Sequence, residues 1–330
     1  MRLFFPVLVV LSFSACSTEV DLEADWKDIP VVYGILSRLD TAHYIRIEKA
    51  FLEPGGDAAK IAQIADSLYY ANLTVELEKS ATGQRFSLRR VDGNLEGYPR
   101  QAGPFAQAPN YLYKINAQTL GLKGGEKIRL IILRGEGKAP VTAETTILSD
   151  LAPRDGSPPN PINMGYDRTI TLSWTAPVSA RIFDVRLVMR YQESDPGNVT
   201  VLKNKSVEWI LARDLERTDD AERMAVTFSG EQFYRFLGEA ISVQSSLRRY
   251  FSGIDLVIAG GGQEFVDFLR LTRVNTGITS SQFVPVYSNL SEGRGIFSSR
   301  TLSSRSALQL SPTAVDSLRF GRYTKALNFQ

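Results

Sequence analysis

Residues 43–51 read HYIRIEKAF, and the alternation in that run limits the fold more than any other feature of the chain. Tyr44, Arg46 and Glu48 stand opposed to Ile45, Ile47 and Lys49. Successive side chains of a strand point to opposite faces, so this strand keeps its charges on a solvated face and lays its isoleucines on a core. Such a strand suits a layered antiparallel sheet with one covered face.

Similar short runs follow. Residues 31–36 (VVYGIL), 73–79 (LTVELEK), 84–91 (RFSLRRV), 112–116, 127–133 (KIRLIIL) and 141–148 read as strands, with Thr82-Gly83 as a hairpin turn. Residues 57–70 interrupt them with helical spacing at Ile61, Ile64, Ala65 and Leu68, after the Pro-Gly-Gly break at 54–56. Residues 30–150 are therefore expected to form a first β-sandwich. The segment 151–168 is rich in proline and turn formers and marks a linker.

Residues 169–330 form the expected second domain. Its opening strands, 169–177 (TITLSWTAP) and 181–191, resemble those of a fibronectin-like sandwich, with Trp174 as the buried inter-sheet aromatic. Helices are expected at 230–241, 263–273 and from Ser311-Pro312 to Phe320, the last opening on a cap followed by proline. The expected class is mainly β, of Ig/fibronectin-like β-sandwich domains with a few inserted helices. A chain of 330 residues, 43% hydrophobic and 22% charged, is large enough to build two such cores.

Cys16 is the only cysteine, and it directly follows the apolar leader MRLFFPVLVVLSFSA. A short positive end, an apolar run too short to span a bilayer and small residues before the cysteine resemble a bacterial lipoprotein signal. Residues 1–15 would be removed and the Cys16 thiol lipidated; an ordinary secretory leader cleaved after Ala15 is the alternative. Residues 16–29 then form a tether carrying Glu19, Asp21, Glu23 and Asp25, which leaves both membrane faces open. The formal net charge of +2 gives no reason to invoke nucleic acid.

Catalytic signatures are weak. His43 is the only histidine, and its place at a strand start suggests an exposed or half-buried position. Gly260-Gly261-Gly262 lacks phosphate-loop spacing and reads as a turn before a helix; Asp219-Asp220 reads as part of a solvated loop. No metal and no cofactor are expected. The loop at 94–113 holds Tyr98, Phe105, Tyr111 and Tyr113 among prolines, suited to sugar stacking, a protein partner or strapping of a sheet edge. Residues 283–300 add Tyr287, Asn289, Arg294 and Phe297 around a Glu292–Gly295 turn that could serve as a recognition hairpin.

The signal cysteine, VVYGILSRLDTAHYIRIEKAFL at 31–52 and PVYSNLSEGRGIFSSR at 285–300 together resemble a Bacteroidota outer-membrane lipoprotein family, the domain-of-unknown-function family numbered 4249. The resemblance implies an envelope protein of no established activity working beside TonB-dependent outer-membrane transporters, and it assigns no site residues. It also implies hydroxyl glycosylation at Asp40-Thr41-Ala42, Asp66-Ser67-Leu68 and Asp316-Ser317-Leu318. The expected function is thus a lipid-anchored binding or accessory protein of the outer membrane. Capture of a glycan or small molecule, or carboxylate-dependent hydrolysis, are the alternatives. Cys16→Ala should abolish labelling by a fatty-acid probe and release the protein from membranes; unchanged labelling would refute lipidation.

Overall fold

The computed structural model describes residues 29–50, 57–135, 137–154, 156–195, 197–218, 222–274 and 286–330. Cys16, its leader, the tether up to residue 28 and Asp219-Asp220 lie outside the described residues. The first part of the chain supplies β1 (Ile29–Leu36), β2 (Ala42–Ala50), β3 (Thr74–Lys79), β4 (Gln84–Ser87), β5 (Arg89–Asp92), β6 (Tyr111–Asn116), β7 (Lys127–Leu133), β8 (Val141–Thr146) and β9 (Ala152–Pro153). The rest supplies β10 (Thr169–Thr175), β11 (Ile182–Asp195), β12 (Asn198–Glu216), β13 (Arg223–Ser229), β14 (Arg249–Gly261) and β15 (Arg294–Leu308). Helices are α1 (Ala58–Ala62), α2 (Ala65–Leu68), α3 (Ala117–Leu120), α4 (Gly230–Ala240), α5 (Gln263–Val274) and α6 (Pro312–Phe320). The chain is mainly β, with several sheets and few helices.

An eight-stranded sheet in the order β12-β11-β14-β15-β1-β2-β6-β5 runs through the whole molecule. A four-stranded sheet, β4-β3-β7-β8, packs on its β15-to-β6 part. Val32, Ile45, Ile47, Leu77, Ile128, Leu130 and Phe297 fill the space between. On the other part, a three-stranded sheet, β13-β10-β9, shares a core with β11 and β14. Trp174 is fully buried there, edge-on to Phe183 with centroids 5.5 Å apart. Helix α4 adds Phe233, Tyr234 and Leu237 to this core, and α6 adds Ala314 and Leu318. Each buried aromatic or leucine of this kind stabilises by about 1.5–3 kcal/mol.

Strand β15 joins the two cores. It pairs parallel with β1, from Val31↔Arg294 to Leu36↔Ser299, and antiparallel with β14, from Gly261↔Arg300 to Ile254↔Leu308. Phe297 serves one core and Leu308 the other. Residues 294–299, although they follow the linker by more than a hundred positions, thus complete a sheet begun at residue 29. Gly293 and Gly295 make this possible. Both have positive φ (105° and 119°), and a Cβ on them would stand 2.3 Å from the Pro30 carbonyl oxygen and 1.9 Å from that of Val32.

Several local expectations are corrected. The helix expected over 57–70 is two separate turns, α1 and α2, with Asp57 capping the first. The 84–91 strand is broken at Leu88, whose amide donates to the Val75 carbonyl. Gly260 and Gly261 end β14 instead of forming a loop, pressed against Phe183 and Phe265. The long strand β12 has no regular alternation because residues 200–206 are exposed on both faces.

His43 is not at the surface. It is 1% exposed, and neither ring nitrogen meets a hydrogen-bond partner among the described residues. Burial lowers its pKa below the ordinary 6.5, against a smaller upward pull from Asp40. In the window below about pH 6.5 the unfolded chain therefore binds a proton that the native state resists. Native stability should fall as the pH drops from 7.5 to 5.5 and His43→Leu should flatten that slope, measured by urea unfolding; an equal slope in both proteins would refute the effect.

Candidate functional site

The alternation of β2 places Tyr44, Arg46 and Glu48 on the outer face of the large sheet. Pairing of β1 with β2 sets Tyr33 opposite Arg46, and continuing the same register sets Ile35 beside Tyr44. Two structures rise from this face. One is the β5–β6 loop, residues 93–110; the other is α5, which follows β14 directly. Between them lies a groove of about 680 Å³ floored by Tyr33, Ile35 and Tyr44, with Tyr98 and Phe265 as walls. Asp40, Thr41 and Arg300 close it at the β1–β2 turn, where Arg300 and Asp40 pair at 2.9 Å. Tyr33 and Tyr98 keep 48% and 55% of their surface exposed.

The loop wall is held by its own backbone. Gly93 donates to the Asn110 carbonyl (2.7 Å) and Tyr98 to that of Gly93 (2.8 Å), while the Asn110 amide group donates to the Tyr98 carbonyl (2.8 Å). Tyr98 then rests on Tyr44, centroids 4.8 Å apart. Below it the Tyr44 hydroxyl donates to Glu96 at 3.0 Å, and Lys114 also pairs with Glu96. The Lys114 hydrogen bond holds the Glu96 carboxyl below the usual carboxylate range. Burial raises the pKa of Tyr44, so its ring stays neutral in the groove. A second tie runs from Arg100 to Glu48 (2.8 Å), which also accepts from Arg46 (2.9 Å).

The α5 wall is fixed by a hydrogen bond from the Ser298 hydroxyl to Glu264 at 2.8 Å. On the far side of α5 a smaller apolar cavity of about 170 Å³ lies over Ile182, Gly260 and Gly261, sharing Phe265 and Arg300 with the groove.

Of the contact residues singled out in the loops at 94–113 and 283–300, Tyr98 alone lines the groove; the Asp40-Thr41-Ala42 motif lines it too. Phe105 is exposed on the same loop, under the Arg100 guanidinium at 5.1 Å. Tyr111 is half-buried, edge-on to Tyr69 at 5.0 Å and beneath Arg90 at 4.4 Å. Tyr287 is half-buried beside Phe268 of α5; burial first, then Asp267 and Glu264, push its pKa up to about 12. Asn289 is a strap: its side chain donates to the Phe297 carbonyl (2.7 Å) and accepts from the Phe297 amide (2.9 Å). Arg294 is exposed at the start of β15. Phe297 is 0% exposed, and a ring needed by the core offers no surface to a partner.

Tyr33, Phe265 and Arg300 were not singled out from the sequence, and Asp40 was named only within a hydroxyl-modification motif. Tyr44 was legible in the polar face of β2, whereas VVYGIL hid Tyr33 inside an apolar run. Among the hydroxyls of the three Asp-Ser/Thr motifs, Thr41 is exposed in a turn. Ser67 donates to the Ile61 and Ile64 carbonyls and Ser317 to that of Thr313. Among the described residues, no three His, Cys, Asp or Glu side chains gather as a metal site, and no helix is long and apolar enough to cross a membrane.

No family model and no curated protein matches the chain. Solved structures with some likeness include the C-terminal globular domain of an oligosaccharyltransferase from Pyrococcus abyssi, 8% identical, covering 86% of this chain and 48% of that one, TM-score 0.21. The chain thus spans about half the length of that domain's chain. CBD12 from CALX1.2 is 8% identical over 85% of this chain and 99% of its own, TM-score 0.19. The calcium binding domain CBD12 of CALX1.1 is 9% identical over 82% and 98%, TM-score 0.17.

The groove offers aromatic faces, one ion pair and a rigid floor, which suits it to hold a ligand. Its loop wall is tied to the sheet through the Arg100–Glu48 pair as well as by its own backbone. Arg100→Ala should speed amide exchange across residues 94–107 while shifting global unfolding by no more than about 2 kcal/mol; unchanged exchange would show that the loop's backbone bonds suffice.

Proposed function

We propose that this chain is a non-enzymatic binding protein, anchored to the outer membrane by lipid on Cys16, that holds its ligand in the groove between the β5–β6 loop and α5 and works beside a TonB-dependent transporter or another envelope partner. The observation that carries the reading is the groove itself: Tyr33 and Tyr44 stand on a sheet floor, and Tyr98 and Phe265 on walls that are tied down before any ligand arrives. Preordered walls cut the entropy lost on binding. The leader ending at Cys16 supports the anchor, and the likeness of residues 31–52 and 285–300 to Bacteroidota lipoproteins supports the transporter as partner. Binding is favoured over carboxylate-dependent hydrolysis because Asp40 is the one carboxylate among the residues lining the groove and is already paired with Arg300, whereas that chemistry needs two facing carboxyl groups.

Phe105 and Arg294 are exposed candidate contacts for the membrane partner. A photo-crosslinking residue at either position, in the lipid-anchored protein, should capture a β-barrel outer-membrane protein, and Cys16→Ala should reduce that yield by about tenfold through lost proximity. Failure to capture any membrane protein from both positions would overturn the partner assignment.

A further inference from the structure

We infer that the groove's ligand is a neutral oligosaccharide, a reading that rests on the binding function proposed above. The first argument is the floor. Tyr33, Ile35 and Tyr44 lie on β1 and β2, which are central strands: β1 is paired on one side with β15 and on the other with β2, and β2 over Ala42–Ile45 is paired with β6. Their backbone donors and acceptors are consumed by the sheet. An extended peptide, which gains much of its affinity by adding a strand to a free edge, finds no edge here. Recognition must come from side chains alone.

The second argument is what those side chains are. Tyr33 and Tyr98 show large parts of their rings, and Tyr44, under Tyr98, sets the second ring's tilt at 58°. Pyranose rings present C–H faces that lie on aromatic faces and hydroxyl rims that need polar partners. The rim partners are at the β1–β2 turn. Asp40 and Arg300 share a hydrogen bond of 2.9 Å, and both side chains remain partly exposed, at 27% and 54%. A carboxylate has about four acceptor positions and a guanidinium five donors, so each keeps capacity for vicinal hydroxyls after pairing with the other. The Thr41 hydroxyl is exposed beside them.

Charge and size complete the assignment. The groove's own lining carries one acid and one base, Asp40 and Arg300, and these pair with each other. A balanced site favours an uncharged ligand over a phosphate or an acidic sugar. A volume of about 680 Å³ lies within the ordinary range for small-molecule sites and can take a few sugar rings.

The test uses the full chain carrying Cys16→Ala, run by affinity electrophoresis and calorimetry against soluble neutral polysaccharides (β-glucan, xylan, mannan, starch) with a polyuronate as the acidic comparison. At least one neutral polymer should retard the protein. Tyr33→Ala and Tyr98→Ala should each weaken binding by about tenfold, Tyr98→Phe should leave it nearly unchanged, and Asp40→Asn should weaken it. Circular dichroism establishes that the variants fold. Absence of retardation by every neutral polymer, retardation that survives Tyr33→Ala with Tyr98→Ala, or preference for the polyuronate would overturn the inference. Capture of a β-barrel partner at Phe105 or Arg294 is independent of that result, so loss of the glycan reading and loss of the envelope-partner reading are separate outcomes.

Discussion

Strand β15 carries the architecture. A single fifteen-residue strand pairs with β1 on one side and β14 on the other, putting Phe297 into one core and Leu308 into the other. Because β1 and β15 are parallel, no hairpin could join them; the chain must travel through nearly every other element before the pair can form. The close approach of β15 to β1 demands glycine at 293 and 295, where any side chain would meet the carbonyls of Pro30 and Val32. Asn289 reinforces the same joint by bridging the amide and carbonyl of Phe297, and Arg134, almost wholly buried, grips Glu292 at 2.7 Å.

The groove follows from that joint. Once β15 lies against β1, the outer face of the large sheet is continuous from β14 to β6, and α5, leaving β14, rests on it through Glu264 and Ser298. The loop between β5 and β6 rises from the other side. The groove is therefore the interval between two covers on one sheet, and its ion pair, Asp40–Arg300, joins residues 260 positions apart in sequence. The groove and the joint between the two cores share the same strand, since Arg300 of β15 lines the groove and Ser298 holds its α5 wall.

Much of the secondary structure was legible in the sequence because it is local. Alternation marked β2, and short apolar or β-branched runs between turn formers marked β1, β3, β7 and β8; the helical spacing of Phe233 and Leu237 marked α4; Ser311-Pro312 marked the start of α6. Trp174 was recognised as a core aromatic through the likeness of residues 169–191 to the opening strands of a fibronectin-like sandwich, and it is fully buried. Where local rules competed, they misled. The 57–70 segment has helical spacing but too few residues between breaks to sustain one helix, and triple glycine looked like a loop where crowding by Phe183 and Phe265 demanded small residues in a strand. As a contact residue the candidate site was legible only at Tyr98, while Asp40 and Thr41 had stood out for a hydroxyl motif instead. Phe297 and Asn289 carried the chemistry of recognition residues but are spent on the β15 joint.

The sequence by itself determined the class of the fold and the polar face of β2, since each is written in neighbouring residues and in the twofold period of a strand. Tertiary structure alone decided which strand completes the large sheet, that His43 is buried, and that Tyr33, Tyr44, Tyr98, Phe265, Asp40 and Arg300 share one groove. Such meetings depend on pairing between strands more than two hundred residues apart. No local pattern encodes that register; the packing of two cores on one shared strand selects it.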